Sequence, residues 1–139
     1  MYKIFLDSDV VVSSLLSNLS ASYQLINNKN VICHISNVSY EEIVLVIKKL
    51  NLDKKQLENI IKNKLKIINL KESFKQTKLN YKEFVKDLND AHIVAGAVES
   101  KAFFLISYNI KDFQIEKIKK KLNIKIIAPG LFLQFLRSK

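Results

Sequence analysis

The sequence predicts an α/β fold in which a central parallel sheet of about five strands lies between two layers of helices. Short, continuous apolar runs that suit strands buried on both faces alternate with longer segments whose apolar residues recur at helical spacing. Such alternation is typical of a parallel sheet covered on both sides. With 139 residues, 48% of them hydrophobic and 26% charged, the chain has the size and composition of one domain, residues 1–139.

The first part of the chain contains two predicted strands. Tyr2–Leu6 is the first strand, and it leads through Asp7–Asp9 into an apolar helix, Val10–Leu16. The first aspartate of that turn can cap the helix by accepting from its free backbone N–H groups. Ser20–Asn28 is predicted to be a second helix, and Val31–Ile35 the second strand.

The middle of the chain begins with the helix that the sequence predicts most clearly. Ser39-Tyr40-Glu41-Glu42 has capping-box spacing and precedes apolar residues at helical spacing, so this helix is predicted to begin near Ser39. In that case Glu42 reaches back to the Ser39 N–H. Asp53–Asn63 is predicted to be helical and Lys66–Leu70 a third strand, whereas Lys71–Asp87 fits a helical pattern only loosely.

The last part of the chain contains the segment around which the rest is organised. A predicted helix that begins at Asp90 is followed by a buried strand, Ala102–Ile106, and Asp112 lies in the turn after that strand. Pro129 is well placed to open the final helix, because its missing N–H costs nothing in a first turn. The remaining predicted elements are a helix, a fifth strand and that final helix: Phe113–Leu122, Lys125–Ala128 and Gly130–Leu136.

The charge balance indicates a polyanionic partner. Lys and Arg number 23 against 13 acids, which leaves a net charge of +10. Arg137 is the single Arg, and Lys favours contact with phosphates over the reading of base edges. The alternative explanation is a solvated, lysine-biased surface.

Several function classes are excluded or disfavoured. The sequence contains neither a GxxxxGK[ST] nor a GxGxxG pattern, which argues against a P-loop nucleotidase or a dinucleotide dehydrogenase. No apolar run approaches the ~18 residues of a membrane span, and no signal-peptide pattern begins the chain, so we expect no membrane contact and a cytoplasmic location. His34 is not expected to bind a metal, because no second His, Cys or acid stands at ligand spacing beside it. His92 is interpreted as a core or interface residue rather than a base, and Cys33 as a core residue.

The remaining candidate functional residues are acidic side chains. Asp7 follows the first strand, Glu42 lies in the helix after the second, and Asp90 and Asp112 flank the helix and strand described above. In a doubly wound sheet the first and fourth strands are neighbours, so these carboxylates can meet at one rim. Because crowded anions raise one another's pKa, a hard cation such as Mg²⁺ or Mn²⁺ is expected there. The pattern predicts a phosphodiesterase in which a metal-activated water attacks phosphorus.

Four segments together resemble the PIN domain family, and within it the VapC-like toxin ribonucleases of toxin–antitoxin pairs. The order and spacing of these segments are more specific than any one of them, and they cover nearly the whole chain: FLDSDVVVSSLLS, SYEEIVLVIKKL, NDAHIVAGAVESKAFFLISYNIKDF and IKIIAPGLFLQFL. The resemblance implies a three-layer α/β/α PIN-like domain. It also implies Mg²⁺- or Mn²⁺-dependent cleavage of RNA, frequent homodimers, and an antitoxin partner that blocks the site.

The resemblance also implies roles for individual residues. The metal-binding acids would be Asp7, Glu42, Asp90 and Asp112, with Ser8 and Asn109 as supporting polar groups. The chain departs from the family pattern at two positions: Asp9 stands where Asn is usual, and Tyr108 where Arg or Gly is common. Asp9 adds a fifth carboxylate and leaves the number of metal ions open. Spacing alone does not decide between Glu41 and Glu42, although the family pattern favours Glu42.

Two alternatives come from other functional classes. Asp7-Ser8-Asp9 together with Leu105-Ile106-Ser107 also resembles the first two motifs of haloacid-dehalogenase phosphatases, in which the first Asp is a nucleophile. That family needs a further acidic pair, and only Asp112 and Glu116 follow Ser107. The other alternative is a non-catalytic PIN-like module that binds RNA or a protein through its lysines.

Overall fold

The computed structural model describes residues 1–139 and contains five strands and eight helices. The strands are β1 (Tyr2–Leu6), β2 (Val31–Ser36), β3 (Leu65–Ile68), β4 (Phe104–Ile106) and β5 (Lys125–Ile127). The helices are α1 (Ser8–Leu16), α2 (Ala21–Ile26), α3 (Asn37–Lys49), α4 (Lys54–Asn63), α5 (Phe74–Tyr81), α6 (Ala91–Glu99), α7 (Ile115–Leu122) and α8 (Pro129–Arg137). Short 3₁₀ turns occupy Lys82–Phe84, Leu88–Asp90 and Ile110–Asp112.

The strands form one parallel sheet in the order β3-β2-β1-β4-β5. Phe5 of β1 pairs with His34 on one side and with Leu105 of β4 on the other. The first and fourth strands are therefore neighbours, as the sequence predicts. Because all strands run the same way, their carboxyl ends share one edge, where ligands bind in sheets of this type.

The sheet separates two apolar cores. Successive residues of a strand point to opposite faces, and in β1 Ile4 and Leu6 join one core whereas Phe5 joins the other. The first core packs buried residues of α1 to α4 and α8, and the second packs α6, α7 and the segment around Phe84. This arrangement is the predicted three-layer α/β/α fold.

A glycine sets the distance between α6 and the sheet. A Cβ atom added at Gly96 would lie 2.2 Å from Cζ of Phe5, far inside van der Waals contact. Only the absence of a side chain allows α6 to lie directly over the Phe5 ring. The helix that follows Asp90 is thereby held against the central strand.

The structure corrects several local predictions. Ser36, not Ser39, caps α3: its hydroxyl accepts from the Ser39 N–H at 3.1 Å, and the helix begins at Asn37. The weakly patterned stretch from residue 71 to 87 contains α5 and a 3₁₀ turn. β4 begins two residues later than predicted because Lys101 adopts a left-handed conformation (φ 60°) and the Ala102 N–H bonds back to the end of α6.

Other predictions agree closely with the structure. Pro129 occupies the first turn of α8. Cys33 is buried, and burial raises the pKa of its thiol to about 12, as expected of a core cysteine. None of the helices combines the length and apolar character that a membrane span requires.

Candidate active site

Acids from separate parts of the chain meet at the carboxyl edge of the sheet. Asp7 directly follows β1, Asp112 closes the 3₁₀ turn after β4, and Asp90 closes the turn that leads into α6. Their mutual proximity is visible in their electrostatics, because the charges of Asp7 and Asp112 both raise the pKa of Asp90. Asp112 and Asp90 likewise raise the pKa of Asp9. The four aspartates therefore belong to one site.

Asp7 is the most deeply buried of these acids. Its Oδ1 accepts from the Ser8 N–H at 2.7 Å, and its Oδ2 accepts from the Ser107 hydroxyl at 2.8 Å. The Asp7 pKa is raised to about 7, mainly by burial and then by the nearby charge of Asp9, while these two hydrogen bonds oppose the rise. Asp7 thus caps α1 and faces the site at the same time, so the two interpretations of this residue are compatible.

Asp9 is held on one side and unpaired on the other. Its Oδ2 accepts from the Tyr108 N–H at 3.2 Å and from the Asn109 side-chain amide at 3.0 Å. Its Oδ1 is buried and has no hydrogen-bond partner. Burial raises the Asp9 pKa to about 6, although the backbone N–H of Tyr108 lowers it. A buried, unpaired carboxylate oxygen is costly unless a ligand completes it.

Glu42, rather than Glu41, faces the site. Its Oε1 lies 3.1 Å from the Ser8 hydroxyl, which donates to it, and 3.2 Å from Nε2 of His92. Glu41 is exposed on another face of α3 and lies beside Leu45. The predicted capping bond from Glu42 to the Ser39 N–H is wrong, since Ser36 caps this helix.

Asp90 and Asp112 complete the acidic cluster. Burial is the main cause that raises the Asp90 pKa to about 6, followed by the charges of Asp7, Asp87 and Asp112. Asp112 is half-buried, and its N–H donates to the Asn109 carbonyl at 3.0 Å. The turn after β4 therefore presents Asn109 and Asp112 to the site together.

The carboxylate oxygens of the site have the chemistry of ligands for a hard divalent cation, but they are not arranged in a metal-binding geometry. No group of three or more His, Cys, Asp or Glu side chains has a geometry that could hold a metal ion as it stands. Every candidate ligand is a carboxylate oxygen, the type that Mg²⁺ and Mn²⁺ prefer. The unpaired Oδ1 of Asp9 and the raised pKa values of three aspartates show negative charge without compensation. The chemistry of these residues therefore fits a hard divalent cation.

Sequence reasoning missed two residues of this site. Ser107 is fully buried at the end of β4, donates to Asp7, and accepts from the Asn109 N–H at 3.0 Å. Its position directly after a buried strand was the available signal. The sequence indicates a core or interface role for His92, and it is buried, but it also contacts Glu42. No local pattern could reveal that contact, because Glu42 lies in a different helix.

Fold and site together define a doubly wound α/β domain with an acidic cluster at the carboxyl edge of its sheet. The family is shown by the match of residues 3–111 to the PIN domain model, and this chain belongs to the PIN domain family. A search of curated proteins found no significant match.

Solved structures of similar fold come from bacterial toxin–antitoxin systems. The Rickettsia felis VapBC2 complex, bound to a fragment of its promoter DNA, aligns with a TM-score of 0.62 at 19% identity, covering 91% of this chain and 98% of the other. A Klebsiella pneumoniae toxin–antitoxin complex aligns with a TM-score of 0.65 at 20% identity, covering 91% and 97%. VapC20 of Mycobacterium tuberculosis, described as a sarcin–ricin loop cleaving toxin, aligns with a TM-score of 0.55 at 12% identity, covering 73% and 86%.

Proposed function

We propose that this protein is a divalent-metal-dependent endoribonuclease and the toxin component of a toxin–antitoxin pair. The observation that carries the proposal is the meeting of four aspartates at one edge of the sheet, close enough that the charge of Asp9 raises the pKa of Asp7 and the charge of Asp112 raises the pKa of both Asp9 and Asp90. Membership of the PIN domain family supports a nuclease, and the similar VapC20 is described as cleaving the sarcin–ricin loop.

The acids would hold Mg²⁺ or Mn²⁺. Asp7, Glu42, Asp90 and Asp112 are the proposed ligands, and Asp9 offers the additional buried oxygen. When bound, the cation would supply a nucleophilic water at neutral pH and stabilise charge on the reacting phosphate. Because the pKa is raised to about 7 for Asp7 and to about 6 for Asp9 and Asp90, metal binding would compete with protons at these acids and would strengthen as pH rises.

The chain's own residues position these acids through hydrogen bonds. Ser8 connects two of them, since its N–H donates to Asp7 and its hydroxyl to Glu42. Asn109 holds Asp9 through its side chain and Ser107 through its backbone N–H. These donors fix carboxylate oxygens at the end of β1, in α1 and in α3 before substrate arrives, which reduces the cost of ordering the site.

The basic surface accounts for the substrate class. An acidic site repels a polyanion, yet the chain as a whole carries +10. Exposed lysines around the site can hold phosphates and concentrate RNA near it. We also propose that a cognate antitoxin covers the site and that the protein forms a homodimer; the similar Klebsiella pneumoniae structure is described as a toxin–antitoxin complex.

The proposal is tested by incubating the protein with structured RNA and with a phosphomonoester, each in Mn²⁺ or EDTA. We expect the wild type to cut RNA only with Mn²⁺, and Asp90→Asn to lose at least about 100-fold in rate because a metal ligand is removed. Asp53→Asn is the matched control, since Asp53 caps α4 through the Lys55 N–H and Asn caps a helix equally well.

Three results would contradict the proposal. Cutting that persists in EDTA or in Asp90→Asn would remove the metal site from the mechanism. Phosphate release that depends on Asp7 would support a phosphatase instead. Retention of RNA without turnover, with or without Mn²⁺, would indicate a binding module.

A further inference from the structure

His92 is a buried histidine that contacts a candidate metal ligand. It lies in α6, two residues after Asp90, and its side chain is 1% exposed. Its Nε2 is 3.2 Å from Oε1 of Glu42, whose side chain is 45% exposed. The pair therefore connects α6 to α3 at the edge of the sheet where the acidic residues lie.

We infer that His92 is a positioning residue that aims the Glu42 carboxylate at the divalent cation; this inference rests on the proposed function. A carboxylate can only accept, so Nε2 of His92 must carry a ring proton for its 3.2 Å contact with Oε1 to orient Glu42. The Ser8 hydroxyl donates to the same oxygen at 3.1 Å. Two donors on Oε1 fix the orientation of the carboxyl group and leave Oε2 for the cation.

The other histidine of the chain shows what a purely structural role looks like. His34 lies in β2, is 7% exposed, and has an Nδ1 without a hydrogen-bond partner. His92 shares the unpaired, buried Nδ1. Only His92 has a carboxylate, that of Glu42, beside its other ring nitrogen, Nε2. Filling space in the core does not require that acid, whereas orienting Glu42 does.

The expected size of the effect follows from the role. Groups that hydrogen-bond a metal ligand from outside typically change metal affinity by about 10- to 100-fold when removed. We therefore expect His92→Leu to weaken Mn²⁺ binding by that factor. His92→Gln should recover much of the affinity, because its amide can still donate to Oε1 of Glu42. The control His34→Leu should leave Mn²⁺ affinity unchanged.

Calorimetric titration of Mn²⁺ into the full-length variants tests the inference without any assay of cleavage. In the Glu42→Gln background, His92→Leu should weaken binding by less than about 2-fold, since the two residues act as one unit. Equal affinity of His92→Leu and wild type overturns the inference and leaves the proposed function standing. The inference is also overturned if His92→Leu lowers Mn²⁺ affinity by the same factor in the Glu42→Gln background as in the wild type. A wild type that binds no Mn²⁺ overturns the proposed function and this inference with it.

A measurement on the wild type covers the case in which His92→Leu does not fold. The chain has 2 histidines, so the ring-nitrogen NMR signals are few, and His34→Leu assigns them. We expect the spectrum to show His92 protonated at Nε2, and its Nε2 signal to shift as Mg²⁺ saturates the protein while the His34 signals stay fixed. A His92 signal that does not respond to saturating Mg²⁺ overturns the inference.

Discussion

The two halves of the acidic site are positioned by different means. In the first half, side-chain and backbone donors hold Asp7, Asp9 and Glu42 at five hydrogen bonds of 2.7 to 3.2 Å, with His92 as a further contact to Glu42. In the second half, the Asp90 side chain caps no helix and depends on the backbone of α6, which Gly96 lets approach Phe5.

This difference indicates how the site can accept a cation. The hydrogen-bonded half has its oxygen atoms in place, whereas Asp90 and Asp112 are freer to turn toward an ion. Raised pKa values occur in both halves, so the charge is uncompensated across the whole site. A fixed set of acids beside an adjustable one would lower the cost of closing around the proposed cation.

The largest effect is expected for Asp7→Asn in the hydrogen-bonded half. The folded-state pKa of Asp7 is about 7 against an ordinary 3.8, so the folded protein binds a proton that the unfolded chain has lost. Wild-type stability should therefore fall as pH rises from about 4 through about 7. Asp7→Asn removes that loss and should stabilise the metal-free protein at pH 8 on the order of 2 to 4 kcal/mol, with little change below pH 4.

Urea unfolding at pH 4 and pH 8 measures this change. Asn keeps an acceptor for the Ser8 N–H, and the Ser107 hydroxyl can accept from its amide instead of donating. Asp53→Asn again serves as the control and should behave alike at both pH values. A variant that loses stability equally at pH 4 and pH 8 would show that the ionised Asp7 carboxylate does not destabilise the folded protein.

A smaller effect is expected for Gly96→Ala, which tests the backbone-positioned half. The added Cβ would meet the Phe5 ring, and overpacking of this kind costs about 1 to 3 kcal/mol. Gly130→Ala is the matched control, because a Cβ there meets nothing within 4 Å and should stabilise α8 by up to about 1 kcal/mol. Thermal unfolding measures both. Equal melting temperatures for the two variants would mean that α6 does not depend on its contact at Gly96.

The smallest effect is expected for Tyr108→Phe. The Tyr108 hydroxyl lies 2.6 Å from the Ser22 hydroxyl and 3.3 Å from that of Ser13, whereas its backbone N–H holds Asp9. Removing the hydroxyl should cost about 0.5 to 1.5 kcal/mol and leave the contact to Asp9 intact. Chemical unfolding measures the stability, and the Asp9 pKa by NMR should not change. A shifted Asp9 pKa would show that the hydroxyl also anchors the turn after β4.

The fold was largely predictable because its signals are local. Buried strands and amphipathic helices leave periodic patterns, and the rule for doubly wound sheets then places β1 beside β4. The error at the start of α3 has a local cause. Ser36 and Ser39 are both good capping residues three positions apart, and only the backbone geometry shows that Ser36 is the cap.

The candidate site was less predictable because its contacts are not local. Asp7, Asp90 and Asp112 could be placed on the rim from their positions relative to strands, and the structure brings them together. Contacts between helices, such as that of His92 with Glu42, follow no sequence period. They depend on how α3 and α6 pack at the edge of the sheet.

The adjacency of β1 and β4 has a consequence for synthesis of the protein. The hydrogen bond between Asp7 and Ser107 joins residues 100 positions apart. At ordinary ribosomal speeds of about 5 to 20 residues per second, the partner of Asp7 is made about 5 to 20 s later. A nascent chain that has not yet released β4 from the ribosome has no assembled acidic site, so the site forms only when translation is nearly finished.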